Sequence, residues 1–317
     1  MLSETLCLPG LTVLERGWLS SNNIVLRGAP GEGATLVDSG HCLHGAQTLA
    51  LLRHALQGER LNRIVNTHLH SDHCGGNALL QRELGVPVTV PVGVFALVQA
   101  WDEDTLSYRA TGQRCERFTT DAMLRPGDHL QAGARRWLAL AAPGHDPLSL
   151  VLFDPADGAL ISADALWENG FGVVFPELEG IAAFDEVAAT LEMIERLPVR
   201  VVIPGHGAPF SDVAGALQLA LVPAIITVMM TDLFDSLSTF IGVADAANLV
   251  DERGQPKNLR QGLIVDAFAT LGAGLFGSSS GTAYVESIAG IRMGGRTGLT
   301  SVVTALCFVP CLFIAPL

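Results

Sequence analysis

Thr67-His68-Leu69-His70-Ser71-Asp72-His73-Cys74-Gly75-Gly76 places three imidazoles and a carboxylate within six residues, directly after the strand-like run Leu61–Val65. At a strand end, His68 and His70, two apart, face one point, while Asp72 and His73 carry the turn to a second. Imidazole and carboxylate suit divalent cations, and two adjacent ions are the natural product of this spacing. Further His and Asp residues recur where apolar runs end: Pro143-Gly144-His145-Asp146 after Trp137–Ala141, Ser162-Ala163-Asp164 after Ala159–Ile161, and Pro204-Gly205-His206-Gly207 after Val199–Ile203. Each lies where a loop carries a ligand into a shared groove. Five of the nine histidines fall in these motifs, too regular a placement for scattered core or surface residues. Of the others, His41, His44, His54 and His129, the first two are read as exposed loop residues, and Cys74 is read as a small buried thiol.

Outward from the motif, strand and helix patterns alternate. Leu11–Leu14, Asn23–Leu26 and Ala34–Val37 read as strands, the second and third separated by a Gly/Pro-rich hairpin-like loop. Gln47–Leu56 has helical spacing. Asn77–Glu83, Val92–Trp101 and Ile181–Arg196 also read as helices; Val86–Val90, Trp137–Ala141, Leu148–Phe153, Ala159–Ser162 and Val199–Ile203 read as strands. Hairpins mixed with helical crossovers predict an α/β sandwich of two sheets with helices on the outer faces.

Composition divides the chain. It holds 49% hydrophobic residues among 317, and its charged residues crowd into the first two thirds. The formal net charge of −13 excludes nucleic acid as a partner, since phosphate binding needs clustered Lys and Arg. Six cysteines show no CxxC pair, and the N-terminus lacks the pattern of a signal peptide, so the first part is expected to be cytoplasmic with reduced thiols. From Leu217 onward the sequence turns to long apolar stretches with Gly, Ser and Thr.

The residues around the opening motif resemble the metallo-β-lactamase superfamily, whose His-x-His-x-Asp-His signature is matched by His68, His70, Asp72 and His73. The likeness covers residues 8 to 212 and implies an αββα sandwich as the fold of a hydrolase domain over residues 1–215. It implies that His68, His70 and His145 hold one metal, that Asp72, His73 and His206 hold a second, and that Asp164 bridges them. Asp72 and Asp164 are then also the catalytic carboxylates, and Asp38, at a strand end ahead of the motif, is a buried support. Two divalent ions held this way lower the pKa of a shared water from about 15.7 toward about 7. Zinc is the expected metal, with iron or manganese fitting the same ligands. The substrate is expected to be a small carbonyl compound: a thioester, lactone or β-lactam. One iron instead of two zincs leaves persulfide oxidation open. The glyoxalase-II-type branch is the nearest, yet Asp146 stands where a small hydroxyl residue is common and no basic C-terminal helix would bind glutathione. Trp101–Cys115, with Trp101, Tyr108 and Arg109, is a candidate substrate-side loop on charge and aromaticity, or an ordinary surface helix and turn.

The tail reads as membrane-length runs: Leu217–Val243, Leu263–Phe276, a Ser/Thr-rich piece around Ser278–Ile291, and Leu299–Leu317. Asp232, Asp235, Asp266 and Glu286 lie inside them, where acids are costly and functional. Asp232-Leu233-Phe234-Asp235, Gly277-Ser278-Ser279-Ser280-Gly281-Thr282 leading to Glu286, and Gly294-Gly295-Arg296-Thr297-Gly298 resemble the adenine/guanine/hypoxanthine branch of the nucleobase permeases. That likeness implies an all-α transmembrane fragment of about four spans over residues 216–317, with Asp232 and Glu286 contacting a purine ring. Arg253, Lys257, Arg260, Arg292 and Arg296 ask for the cytoplasmic side, which puts the start of the first span outside. The hydrolase part joined to that start has no export signal. The two halves therefore conflict in topology, and the chain reads as a membrane-located fusion, by rearrangement or by gene-model or assembly error, of a hydrolase domain and a non-transporting permease fragment.

Overall fold

Two mixed sheets carry the first part of the chain. The computed structural model describes residues 8–308 apart from 18, 107, 179, 180, 182, 252–254, 276–286 and 296, and omits the side chains of 110, 111, 177, 178, 221, 223–228, 231 and 308. Sheet one runs β1 (Leu11–Leu14), β2 (Asn23–Leu26), β3 (Ala34–Val37), β4 (Leu61–Val65), β5 (Val88–Pro91) and β6 (Ala122–Leu124), in that spatial order. Its first three strands are antiparallel and the rest parallel. Sheet two holds β7 (His129–Ala132), β8 (Arg135–Ala141), β9 (Leu150–Asp154), β10 (Ala159–Ala163) and β11 (Val201–Pro204), in the order β11-β10-β9-β8-β7. Only its β10–β11 pair is parallel.

The helices are α1 (Gly45–Leu56), α2 (Ser71–Cys74), α3 (Asn77–Leu84), α4 (Val92–Ala100), α5 (Tyr108–Thr111), α6 (Phe175–Leu178), α7 (Phe184–Arg196), α8 (Val213–Ala246), α9 (Leu259–Leu275), α10 (Ser287–Arg292) and α11 (Gly298–Phe308). The chain divides into two compact units, Met1–Ala224 and Ile225–Leu317.

In the first unit the layers follow from side-chain alternation along strands buried on both faces. Ile24, Leu26, Val37 and Val65 of sheet one meet Trp137, Leu150, Leu152, Ile161 and Ile203 of sheet two in the central layer. The intervening Val25, Leu36 and Ile64 turn the other way onto Leu49 and Leu52 of α1 and Leu80 of α3. On the opposite side Val151, Phe153, Leu160 and Val202 pack against Val187, Leu191 and Ile194 of α7 and against Ala216, Leu217 and Ala220 of α8. Each such aliphatic side chain contributes about 1.5–3 kcal/mol of burial. The result is the expected αββα sandwich. Strands β1 to β4 fall where the sequence patterns put them, whereas β6 and β7 were not expected. Three residues is too short a run to show a period, and β7 alternates around the polar His129 and Gln131.

The second unit is helical. Among the described residues no helix is long and apolar enough to cross a membrane, so the expected four spans are not found. Helices α9, α10 and α11 are described over 17, 6 and 11 residues, and the expected runs Ser278–Ile291 and Leu299–Leu317 fall in part outside the described residues. In the 34-residue α8 the acids Asp232, Asp235 and Asp245 all lie in the C-terminal half.

Candidate metal centre

All of the motif residues lie just past the C-terminal ends of strands, which parallel pairing gathers at one edge of the sandwich. Asp38 follows β3, the His68–His73 turn follows β4, His145 follows β8, Asp164 follows β10 and His206 follows β11. Cross-links hold the two sheets in register there. Leu150 N–H donates to Thr67 O at 2.9 Å, Asn22 N–H to Gly205 O at 2.6 Å, and the Asn22 side chain to Pro204 O at 2.9 Å and Gly207 O at 2.7 Å. Glycine is required at this edge by crowding: a Cβ on Gly205 would come within 2.3 Å of Asp164 Oδ1, and one on Gly76 within 2.4 Å of Ser39 O.

The structure brings the seven predicted residues into two groups, His68/His70/His145 and Asp72/His73/Asp164/His206, the ligand atoms of each lying within 4.8 Å of one another. His68 Nε2 lies 3.1 Å from His70 Nδ1, which lies 2.7 Å from His145 Nε2. In the second group His206 Nε2 is 3.1 Å from Asp72 Oδ2. Asp164 faces both: Oδ2 is 3.3 Å from His145 Nε2 and Oδ1 is 3.2 Å from His73 Nε2.

Outer hydrogen bonds aim these nitrogens. His145 Nδ1 meets Val173 O at 2.5 Å, and His68 Nδ1 meets Thr67 Oγ1 at 3.1 Å. Asp38, 2% exposed, accepts from Thr67 N–H at 2.9 Å and from the Thr67 hydroxyl at 2.7 Å, and its Oδ2 lies 2.8 Å from His73 Nδ1. These contacts put the Asp38 carboxylate behind His73 and the Thr67 backbone. Asp38 has φ 57° and Ala163, which precedes Asp164, has φ 46°. Such left-handed non-glycine residues are strained, and strain of this kind gathers at functional sites.

Charge in the site favours a cation. Burial pushes His70 and His145 down to about 4 and His68 well below the usual imidazole value. For Asp72 burial works upward, yet His73 and His206 hold it at about 2; for Asp164 the same opposition, with His73 strongest, leaves it well below the carboxylate range. Neutral imidazoles beside ionised carboxylates are the donor state a divalent metal requires. His73 is the exception. Burial lowers it, but Asp164, Asp72 and Asp38 raise it well above the usual value. Its Nε2 is buried without a hydrogen bond. A nitrogen drawn toward positive charge yet unbonded marks where a bound cation fits, so the residues present suit the implied metals.

Other expectations fare differently. His41 is not an exposed loop residue: it is 9% exposed, and its Nδ1 accepts from Leu43 N–H at 3.2 Å, capping a short turn. His44 is half-buried and meets Ser20 Oγ at 3.0 Å. Cys74 is buried, with its thiol 3.3 Å from Leu69 O and 3.2 Å from the Tyr108 hydroxyl. In the Trp101–Cys115 segment, Trp101 and Tyr108 pack inward and Arg109 pairs with Asp104 in solvent, while Thr105, Leu106 and Gln113 line the cavity beside His70 and His145. Phe175, whose ring centroid lies 4.6 Å from that of His70, also lines it and carried no sequence signal. In the second unit Asp232 is half-buried on α8, and Asp266 is buried, accepting from Ser236 Oγ at 2.6 Å. Glu286 lies outside the described residues.

An αββα sandwich with two facing His/Asp groups at one edge defines the class of metal-centred hydrolase folds. A sequence profile of the Metallo-beta-lactamase superfamily matches residues 16–206, and the chain belongs to that superfamily. The fold is similar to a metallo-beta-lactamase family protein from Thermus thermophilus, with a TM-score of 0.56 at 23% identity over 74% of this chain and 83% of that one. It is also similar to TTHA1623, solved in a di-iron-bound form, with a TM-score of 0.51 at 27% identity over 66% of this chain and 96% of that one. A second profile, described as Permease family, matches residues 171–317. Over 120 residues the chain is 42% identical to adenine permease AdeP of Escherichia coli (strain K12), covering 38% of this chain and 26% of the permease. The chain therefore spans about a quarter of the length of such relatives.

Proposed function

We propose that residues 1–215 are a metal-dependent hydrolase domain that attacks a carbonyl substrate, such as a thioester or lactone, with His68, His70 and His145 holding one divalent ion, Asp72, His73 and His206 a second, and Asp164 reaching both. The observation that carries this reading is the convergence of the two donor groups on either side of one carboxylate. Bound there, two divalent ions supply Lewis acidity toward the carbonyl and acidify water. The chain itself supplies orientation. Thr67 and Val173 O occupy the outer nitrogens of His68 and His145, leaving Nε2 of each inward, and Asp38 does the same for His73. Asp72, whose side chain is 28% exposed against 6% for Asp164, is the more solvent-open of the two carboxylates and would orient a water at the site.

Zinc suits the His/Asp set, and likeness to a protein solved with two irons supports iron as the alternative. Elemental analysis of the purified chain, run beside a panel of thioesters, lactones and β-lactams, tests the assignment. About two metals per chain with one class turned over is expected; His70→Ala and Asp164→Ala are expected to lose both metal and turnover while staying folded. Retained hydrolysis in either variant refutes the reading.

The permease likeness favours a second role, for residues 216–317: membrane association, with Asp232 and Glu286 meeting a purine base. Expression in a permease-deficient host followed by fractionation and adenine uptake tests it. Recovery of the chain only in the soluble fraction refutes the association, and no uptake by membrane-inserted chain refutes the transport role.

A further inference from the structure

His70 and His145 also line a cavity of about 340 Å³, within the range of small-molecule sites. Its wall is largely apolar. Leu97, Leu106, Leu148, Phe175 and Ile181 supply much of it, and Phe175 also lies with its ring 5.5 Å from that of His145. Leu148 is 42% and Ile181 59% exposed, so an apolar guest would remove from water surface that the fold leaves wet. Helix α4 makes room for this wall, since a Cβ on Gly93 would fall 2.6 Å from a Leu148 methyl.

The polar part of the lining is one-sided. Gln113 is engaged, its Oε1 accepting Ser71 N–H at 2.9 Å, and the Thr105 hydroxyl donates to Asp102 at 2.7 Å. The other polar side chains are two carboxylates: Asp146, whose Oδ1 accepts Leu148 N–H at 2.7 Å and whose Oδ2 lies 3.8 Å from His70 Nε2, and Glu186 in the first turn of α7. Among the described residues the lining holds no Lys or Arg. Away from the His70/His145 edge, where the reading above puts a divalent ion, a carboxylate at the far end of a substrate's acyl group would lose its hydration, find no Lys or Arg, and face these two carboxylates.

We propose that the substrate is an uncharged acyl compound, an ester, lactone or thioester whose carbonyl sits at His70 and His145 and whose apolar acyl group fills this cavity, with Asp146 and Glu186 excluding acyl groups that carry a carboxylate. This rests on the hydrolase reading above. Hydrolysis adds water across the acyl bond: a C–O bond forms, the bond to the leaving oxygen or sulfur breaks with its electron pair on that atom, and one water proton goes to it.

The test uses the full chain loaded with zinc. For p-nitrophenyl esters, kcat/KM is expected to climb from acetate to octanoate, by up to about fourfold per methylene, and to fall at least tenfold from the octanoate to the equal-length mono-p-nitrophenyl suberate. Glu186→Lys is expected to raise the suberate-to-octanoate ratio at least fivefold. A flat chain-length series, or suberate turned over as well as octanoate, overturns the proposal while leaving the hydrolase reading intact. If metal is bound and no ester is cleaved, the hydrolase reading fails and calorimetry decides the pocket separately. Tighter binding of 2-octanone than of 7-oxooctanoate by tenfold sustains the uncharged apolar site, and equal or reversed affinities overturn it.

Discussion

Asp38→Asn separates the charge of the supporting carboxylate from its shape. Asp38 holds φ 57°, a left-handed conformation that asparagine adopts about as readily as aspartate, so the backbone stays in place. The wild-type carboxylate serves four groups: Oδ1 takes Thr67 N–H at 2.9 Å and the Asn66 side-chain amide at 3.5 Å, while Oδ2 takes the Thr67 hydroxyl at 2.7 Å and meets His73 Nδ1 at 2.8 Å. An amide has one oxygen to give. With that oxygen kept on Thr67 N–H, the NH₂ group faces the Thr67 hydroxyl, which can turn to accept, and His73 Nδ1, which must then accept as well. The imidazole proton moves to Nε2, the nitrogen that lies 3.2 Å from Asp164 Oδ1 and 3.7 Å from Asp72 Oδ2. A protonated nitrogen does not bind metal. Losing an outer-sphere partner of this kind costs about 10–100-fold in affinity, roughly 1.4–2.7 kcal/mol. Asp38 makes no direct contact with the His68/His70/His145 group, so the loss is expected at the Asp72/His73/His206 group alone. Competition against a chromophoric chelator, with elemental analysis after dialysis, reads it directly: the wild type keeps two ions where the variant keeps one. Two ions held within threefold of wild-type affinity, or equal loss of both, would refute the reasoning.

Three further outcomes are expected. Gly205→Ala puts a methyl group 2.3 Å from Asp164 Oδ1, so metal stoichiometry by elemental analysis drops while the circular dichroism spectrum is unchanged. In the chelated protein, His70 and His145 sit at about 4 against 6.5 when unfolded, so the unfolded chain binds more protons between those values and stability falls as pH drops from 6.5 to 4, by up to about 3 kcal/mol per imidazole. Urea midpoints that stay constant over that window would contradict the burial of neutral imidazoles, and added zinc should flatten the dependence. Trp137→Ala empties a site that is 0% exposed at the centre of the sandwich and is expected to lower stability by about 3–5 kcal/mol, whereas Trp137→Phe should cost far less because it also removes an indole N–H that has no partner; chemical denaturation compares the two.

Much of the first unit is legible in its residues because the deciding patterns are local. Strands β1 to β3 are short, mostly apolar runs with Gly, Pro or Asp close by, and β2 and β3 are buried on both faces, so burial and sequence say the same thing there. His68, His70, Asp72 and His73 declare themselves by spacing within one turn, and His145, Asp164 and His206 by standing just past apolar runs. The nucleobase-permease likeness of the tail is also a matter of short motifs. Convergence is different. That seven side chains spread from position 68 to position 206 meet in two groups depends on parallel strand ends lining up at one edge, and on Asn22 and Thr67 tying the sheets together there. The same holds for the cavity wall: Leu106 and Gln113 come from irregular segments and Phe175 from the one-turn α6, none long enough to show a period, while Trp101 and Tyr108, chosen for aromaticity, turn into the core. Local spacing is enough to specify which atoms can bind a metal, since a strand end fixes where consecutive side chains point; which atoms lie next to that metal is set by packing between segments far apart in the chain, and so belongs to the tertiary structure.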